Sequence, residues 1–182
     1  MSENDYSIPL GRANFVGLLL FIPLSALILL PYVAVWGWAE TGSTFTLFYE
    51  YPLSFPLLVL LGILLHELIH GLTWMIAGKI PRNAIKFGFN WKALAPYAHC
   101  KEPLEVNAYR WGAAMPGIVL GIIPFLIGLT TGNNWFSLFG YLFTVTASGD
   151  ILILWLIRNI EPGVRVLDHP EKAGCKVSDT IT

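Results

Sequence analysis

The chain has little charge. Asp, Glu, Lys and Arg make up 13% of its 182 residues, against about a quarter in an average soluble domain. With a hydrophobic fraction of 55% and a mean hydropathy of +0.61, that shortage excludes intrinsic disorder, a basic-patch nucleic-acid binder and almost every soluble enzyme. A net charge of −1 gives no bulk attraction to polyanions, so nucleic acid is not an expected partner. Cysteine is scarce as well, and Cys100 and Cys175 are too few for a disulfide framework. Internal repeats and low-complexity runs are absent. Long apolar sequence is what the chain has in quantity. It reads as one integral membrane domain, residues 1–182, whose first partner is the lipid bilayer.

Four stretches reach the roughly 20 mainly apolar residues that a spanning helix needs: Phe15–Trp38, Leu53–Gly78, Trp111–Leu129 and Trp135–Ile157. The expected fold is therefore an all-α membrane protein, a four-helix transmembrane bundle. Pro23 and Pro31 predict a kink in the first span. That span is too long for a signal peptide and lacks a small-residue cleavage site, so it is expected to be retained. All 11 basic residues fall before the first span, between the second and third, or after the fourth, while the stretches 39–52 and 130–134 have none. The positive-inside rule then puts both termini and the middle segment in the cytoplasm. Trp36, Trp38, Trp111, Trp135 and Trp155 lie near span ends, where interfacial aromatics belong.

Within the middle segment, residues 79–110, alternation over Ile85–Phe89 and a second run over Ala95–Cys100 predict a short cytoplasmic β-hairpin turning at Asn90-Trp91-Lys92. The tail, 158–182, is polar beyond Pro162 and is expected to lie on the surface or fray. Cys100 and Cys175 are expected as free thiols on the reducing side, and His169 as a turn residue in Asp168-His169-Pro170.

The second span carries His66-Glu67-Leu68-Ile69-His70, an H-E-x-x-H sequence on a helix. Four residues advance an α-helix by about 400°, which puts His66 and His70 on one face, one turn apart. Two imidazoles so placed can bind one zinc ion, with Glu67 beside the metal as general base. The alternative is a metal-free hydrogen-bonded network, which the cost of burying these groups in an apolar span disfavours. Zinc needs a third protein ligand. His99 and His169 lie outside the spans, whereas Asp150 is the one acidic residue inside the other three. His70 precedes Lys79 by nine residues and Asp150 precedes Arg158 by eight. At about 1.5 Å per residue both sit in the same layer, on helices running the same way. In the third span, Pro116 would release a backbone carbonyl, and Gly117 and Gly121 would allow close packing against the metal helix.

These residues resemble a known group. The His66, Glu67, His70 helix, the hairpin, the Pro116-Gly117 span and the later Asp150 look like the core of intramembrane site-2 proteases, over roughly Leu53–Arg158. In that family a later helix supplies an aspartate as third zinc ligand. The wider chain is similar to a small family of bacterial membrane proteins described as zincin peptidases, on the phrases Pro96–Pro103, Ser148-Gly149-Asp150 and Asp168-His169-Pro170. Two departures stand out. Asp150 sits in Ser-Gly-Asp-Ile rather than Asn-Pro-x-x-Asp-Gly or Leu-Asp-Gly, and 130–134 is too short for a PDZ module.

The reading is a zinc-dependent intramembrane metallopeptidase of the bacterial plasma membrane that cleaves membrane-embedded or membrane-proximal protein substrates. Zinc would be held by His66, His70 and Asp150, with Glu67 catalytic. A zinc-stabilised scaffold, with His99 as a fourth ligand, and a small metal or proton transporter are the competing readings.

Overall fold

A computed structural model of the chain describes residues 4–91 and 95–178. In chain order it comprises β1 (Asp5–Pro9), α1 (Leu10–Glu50), α2 (Ser54–Gly78), a 3₁₀ turn (Arg82–Ala84), β2 (Ile85–Asn90), β3 (Ala95–Cys100), β4 (Leu104–Glu105) and α3 (Val106–Pro116). A π-helical stretch (Gly117–Ile122), α4 (Ile123–Thr131), α5 (Asn134–Thr146), α6 (Ser148–Leu156), β5 (Arg165–Asp168) and β6 (Lys172–Val177) complete it. Three continuous helices are long and apolar enough to cross a membrane: Leu10–Glu50, Ser54–Gly78 and Val106–Thr131. Asn134–Thr146 with Ser148–Leu156 makes a fourth candidate, bent by 40°. Helix is the form an apolar run must take in lipid, because it satisfies its own backbone N–H and C=O groups. Large apolar side chains such as Leu18, Ile22, Leu27, Leu61 and Ile76 are exposed along α1 and α2, as lipid-facing surface would be.

The chain forms two compact units. One comprises Leu18–His66 and Gly117–Ser148. Its core gathers Ile28, Tyr32, Leu47, Phe55, Phe125, Leu138, Tyr141 and Val145. Helix α1 runs well past the expected end at Trp38, and the stretch expected to be a loop, 39–52, is helical as far as Glu50. The break in α1 falls at Gly37 (φ 78°, ψ 170°), while Pro23 and Pro31 stay inside the helix. Beyond Gly37 the helix is tied in by the hydroxyl of Thr44, which donates to Oδ1 of Asn134 at 3.0 Å. The hydroxyl of Tyr32 donates to the same oxygen at 3.3 Å. Gly121, Gly128 and Gly140 bring helical backbones together: a Cβ on any of them would collide with Thr144, Ser137 or Phe125 respectively. Gly121 thus serves packing against α5, not against the metal helix as the sequence suggested.

The other unit comprises Met1–Gly17, Glu67–Pro116 and Gly149–Thr182. It qualifies the all-α expectation: the described residues are mostly helical, with two small sheets besides. A four-stranded antiparallel sheet runs in the order β1-β6-β5-β4, and β2 and β3 make a separate antiparallel pair with Ile85 opposite Cys100 and Asn90 opposite Ala95. The hairpin strands fall where alternation placed them; Lys92 of the expected turn lies outside the described residues. As far as Ser178 the tail is built into the fold, since Val166 and Cys175 are fully buried among Trp74, Ile85, Cys100, Leu104, Tyr109 and Ile157. The sheet escapes sequence reading because it joins the chain's two ends, Tyr6 facing Cys175, through strands of two to six residues that carry no local signature.

Side chains close the element ends. The Glu105 carboxylate accepts the amides of Asn107 (2.8 Å) and Ala108 (3.2 Å), capping α3. The Arg110 guanidinium donates to the carbonyls of Ile157 and Ile160, each at 2.7 Å, just beyond α6.

Candidate metal centre

Helix α2 brings three groups together by its own geometry. His66 and Glu67 are half-buried and His70 is buried, and one ligand atom from each lies within 4.8 Å of the other two. Among the described residues this is the one group of three or more His, Cys, Asp or Glu side chains close enough to hold a metal ion.

His70 is oriented from two sides. Its Nδ1 lies 2.8 Å from the carbonyl oxygen of Gly112 on α3. A carbonyl only accepts, so Nδ1 carries the proton of that bond, and Nε2 is the nitrogen turned towards a metal. That Nε2 lies 3.3 Å from Oδ1 of Asp150 on α6. The acid chosen by counting residues to the membrane boundary therefore meets the metal helix. The imidazole ring stacks on Trp74 (centroids 5.5 Å apart), which stacks in turn on Tyr109 (5.6 Å). The Trp74 indole N–H donates to the Tyr109 carbonyl at 3.3 Å. Gly112 permits all of this, because a Cβ there would occupy the space of the Trp74 indole. The glycine that serves the metal helix is thus Gly112, which the sequence reading did not single out.

Glu67 is held by the hairpin. Its Oε2 accepts the backbone N–H of Ala98 on β3 at 2.6 Å. The hairpin packs directly on α2, with the Phe87 ring and the Ile85 side chain filling the space a Cβ on Gly71 would need. No side-chain pattern could have signalled the Ala98 contact, because a backbone amide is the donor.

The remaining candidates fall elsewhere. His99 is not in the α2 group; its Nδ1 lies 2.8 Å from Oδ2 of Asp168. His169 is the turn residue expected of it: its Nδ1 accepts the amides of Glu171 and Lys172, each at 3.0 Å. Cys100 and Cys175 are free and buried. Burial pushes the Cys100 thiol up to about 11 and the Cys175 thiol up to about 12, so both are poor nucleophiles. Asp168 is the residue the sequence reading undervalued: beyond His99 it accepts the Tyr109 hydroxyl at 2.8 Å and the Cys100 amide at 3.3 Å.

Residues 59–164 match the model of a family described as "Putative zincin peptidase". The match covers α2 from Val59 onward, the hairpin, α3 to α6, and His66, Glu67, His70, Gly112 and Asp150. Neither a curated protein nor a solved structure matches the chain.

Proposed function

The chain belongs to this zincin peptidase family, and on that premise we propose that it is a zinc-dependent metallopeptidase acting within the membrane. Its substrates are membrane-embedded or membrane-proximal proteins or peptides. The observation that carries the reading is the His66, Glu67, His70 cluster on an apolar helix, with Glu67 and His70 each restrained from outside that helix. Imidazole and carboxylate donors suit zinc, and the residues present fit it. His66, His70 and Asp150 would hold the ion, because Oδ1 of Asp150 already lies 3.3 Å from Nε2 of His70. Bound there, zinc would polarise the scissile carbonyl and lower the pKa of a water towards about 7.

The chain's own residues supply the rest. Glu67 takes the proton from the attacking water and later delivers it to the leaving amine. The Ala98 amide fixes one of its oxygens and so orients the carboxylate. The Gly112 carbonyl keeps the His70 ring in one tautomer throughout. We place both termini and the hairpin in the cytoplasm of a bacterial cell, on the strength of the one-sided distribution of Lys and Arg. The likeness to site-2 proteases rests on the sequence pattern around His66 and Asp150.

The test is cleavage by the purified protein in liposomes reconstituted with bacterial membrane proteins, with new peptide N-termini as the readout. Wild type with zinc should generate ends that both Glu67→Gln and a zinc chelator abolish. Equal cleavage by Glu67→Gln would refute the mechanism.

A further inference from the structure

We infer that Asp168, far along the chain from the metal helix, is a positioning residue for both the proposed base and a proposed zinc ligand. The inference rests on the zinc-peptidase reading and adds a residue to that site. Residue amides two apart on a strand point to the same edge. On β3 the amide of Ala98 donates to Glu67 and the amide of Cys100 donates to Asp168. One strand edge is therefore pinned by two carboxylates, separated by about 7 Å of extended chain. The His99 imidazole, donating from Nδ1 to the same Oδ2 at 2.8 Å, clamps the strand from its side-chain face.

The other oxygen of Asp168 reaches the other half of the centre. Oδ1 accepts the Tyr109 hydroxyl at 2.8 Å. Tyr109 lies one turn before Gly112 on α3, and its ring supports Trp74, on which His70 stacks. A single carboxylate, 12% exposed, thus restrains the strand that holds Glu67 and the helix turn that holds His70. Truncating it strands the Tyr109 hydroxyl and the Cys100 amide in a buried setting, and both elements must shift to satisfy them.

The experiment measures metal binding rather than turnover. Zinc affinity of the detergent-purified full chain is measured by competition with a chromophoric chelator, and the Co²⁺ d–d spectrum reports ligand geometry. Wild type, Asp168→Ala, Asp168→Asn and Ile8→Ala are compared. Ile8 is buried in a different cluster, with Ala13 and Leu152, so its truncation destabilises the terminal sheet without touching this network. Asp168→Ala should weaken zinc binding by about 10- to 100-fold, the usual cost of losing a group that orients ligands. It should alter the Co²⁺ spectrum and speed hydrogen exchange over residues 95–101. Asp168→Asn, which keeps one acceptor oxygen, should fall between it and wild type, and Ile8→Ala should keep the wild-type affinity and spectrum. Wild-type affinity and spectrum in Asp168→Ala overturn the inference while leaving the zinc reading intact. Absence of zinc binding in wild type itself overturns both.

Discussion

A neutral histidine offers a metal only the nitrogen that carries no proton, and in His70 the carbonyl of Gly112 decides which one that is. Gly112 therefore does two jobs at one position: its carbonyl fixes the tautomer, and its missing side chain leaves room for Trp74. Gly112→Ala should push the indole away and move the carbonyl with it. Zinc affinity should fall by about tenfold or more, with a change in Trp fluorescence as an independent sign of the displaced ring. At the same scale the two thiols make a simpler prediction. Buried, with thiols raised to about 11 and about 12, Cys100 and Cys175 should resist iodoacetamide at pH 8 in the folded protein and react promptly in denaturant. The sign for stability follows. The folded thiols hold their protons more tightly than the same thiols in the unfolded chain, which titrate near the ordinary 9.0, so the fold keeps their full contribution below about pH 9 and loses it as pH climbs towards 11 and 12. Chemical unfolding followed at pH 8 and pH 10 measures the difference. The grouping of His66, Glu67 and His70 was legible in the sequence because four residues make about one helical turn. The approach of Asp150 to His70 was legible because position can be counted along two helices. Ala98 and Gly112 were not, since each acts through its backbone, and Asp168 was not, since its partners lie 59 to 69 residues away along the chain.

Among the elements, the helices show where local signals succeed and where they mislead. Apolar length located α2 almost to the residue, Leu53–Gly78 expected against Ser54–Gly78 found. Proline was the misleading signal in α1. A proline in a long apolar helix forfeits one hydrogen bond, a loss that neighbouring groups make good, and Pro23 and Pro31 stay within the helix. Gly37 instead adopts φ 78° and ψ 170°, a combination that a residue with a Cβ avoids. Gly37→Ala should therefore cost about 1–3 kcal/mol, visible as a lower thermal midpoint in detergent, although a Cβ there meets no neighbouring atom. An unchanged midpoint would show that α1 can absorb the strain. Pro116 marks another departure from regular helix, since the π-helical stretch Gly117–Ile122 begins directly after it.

At the scale of the whole chain, the decisive feature is a sheet whose strands come from both ends. β6 pairs with β1 on one side and with β5 on the other, and β5 ends at Asp168, so the tail expected on the surface or frayed contributes buried core residues. Removing residues 163–182 should leave the long apolar helices able to enter the membrane, because none of those residues belongs to them, yet weaken zinc binding by at least the roughly 10- to 100-fold expected of Asp168→Ala, because Asp168 and its tie to β3 and α3 are gone. Fractionation of membranes and metal analysis of the truncated protein check the two halves of that statement separately. The central claim is that two histidines on α2 and an aspartate on α6 hold one metal ion. Elemental analysis of detergent-purified wild type, His66→Ala, His70→Ala and Asp150→Ala tests it most directly. The account predicts about one zinc per chain in wild type and its loss in all three variants. A wild-type protein without zinc, or an Asp150→Ala protein that keeps its zinc in full, would contradict it.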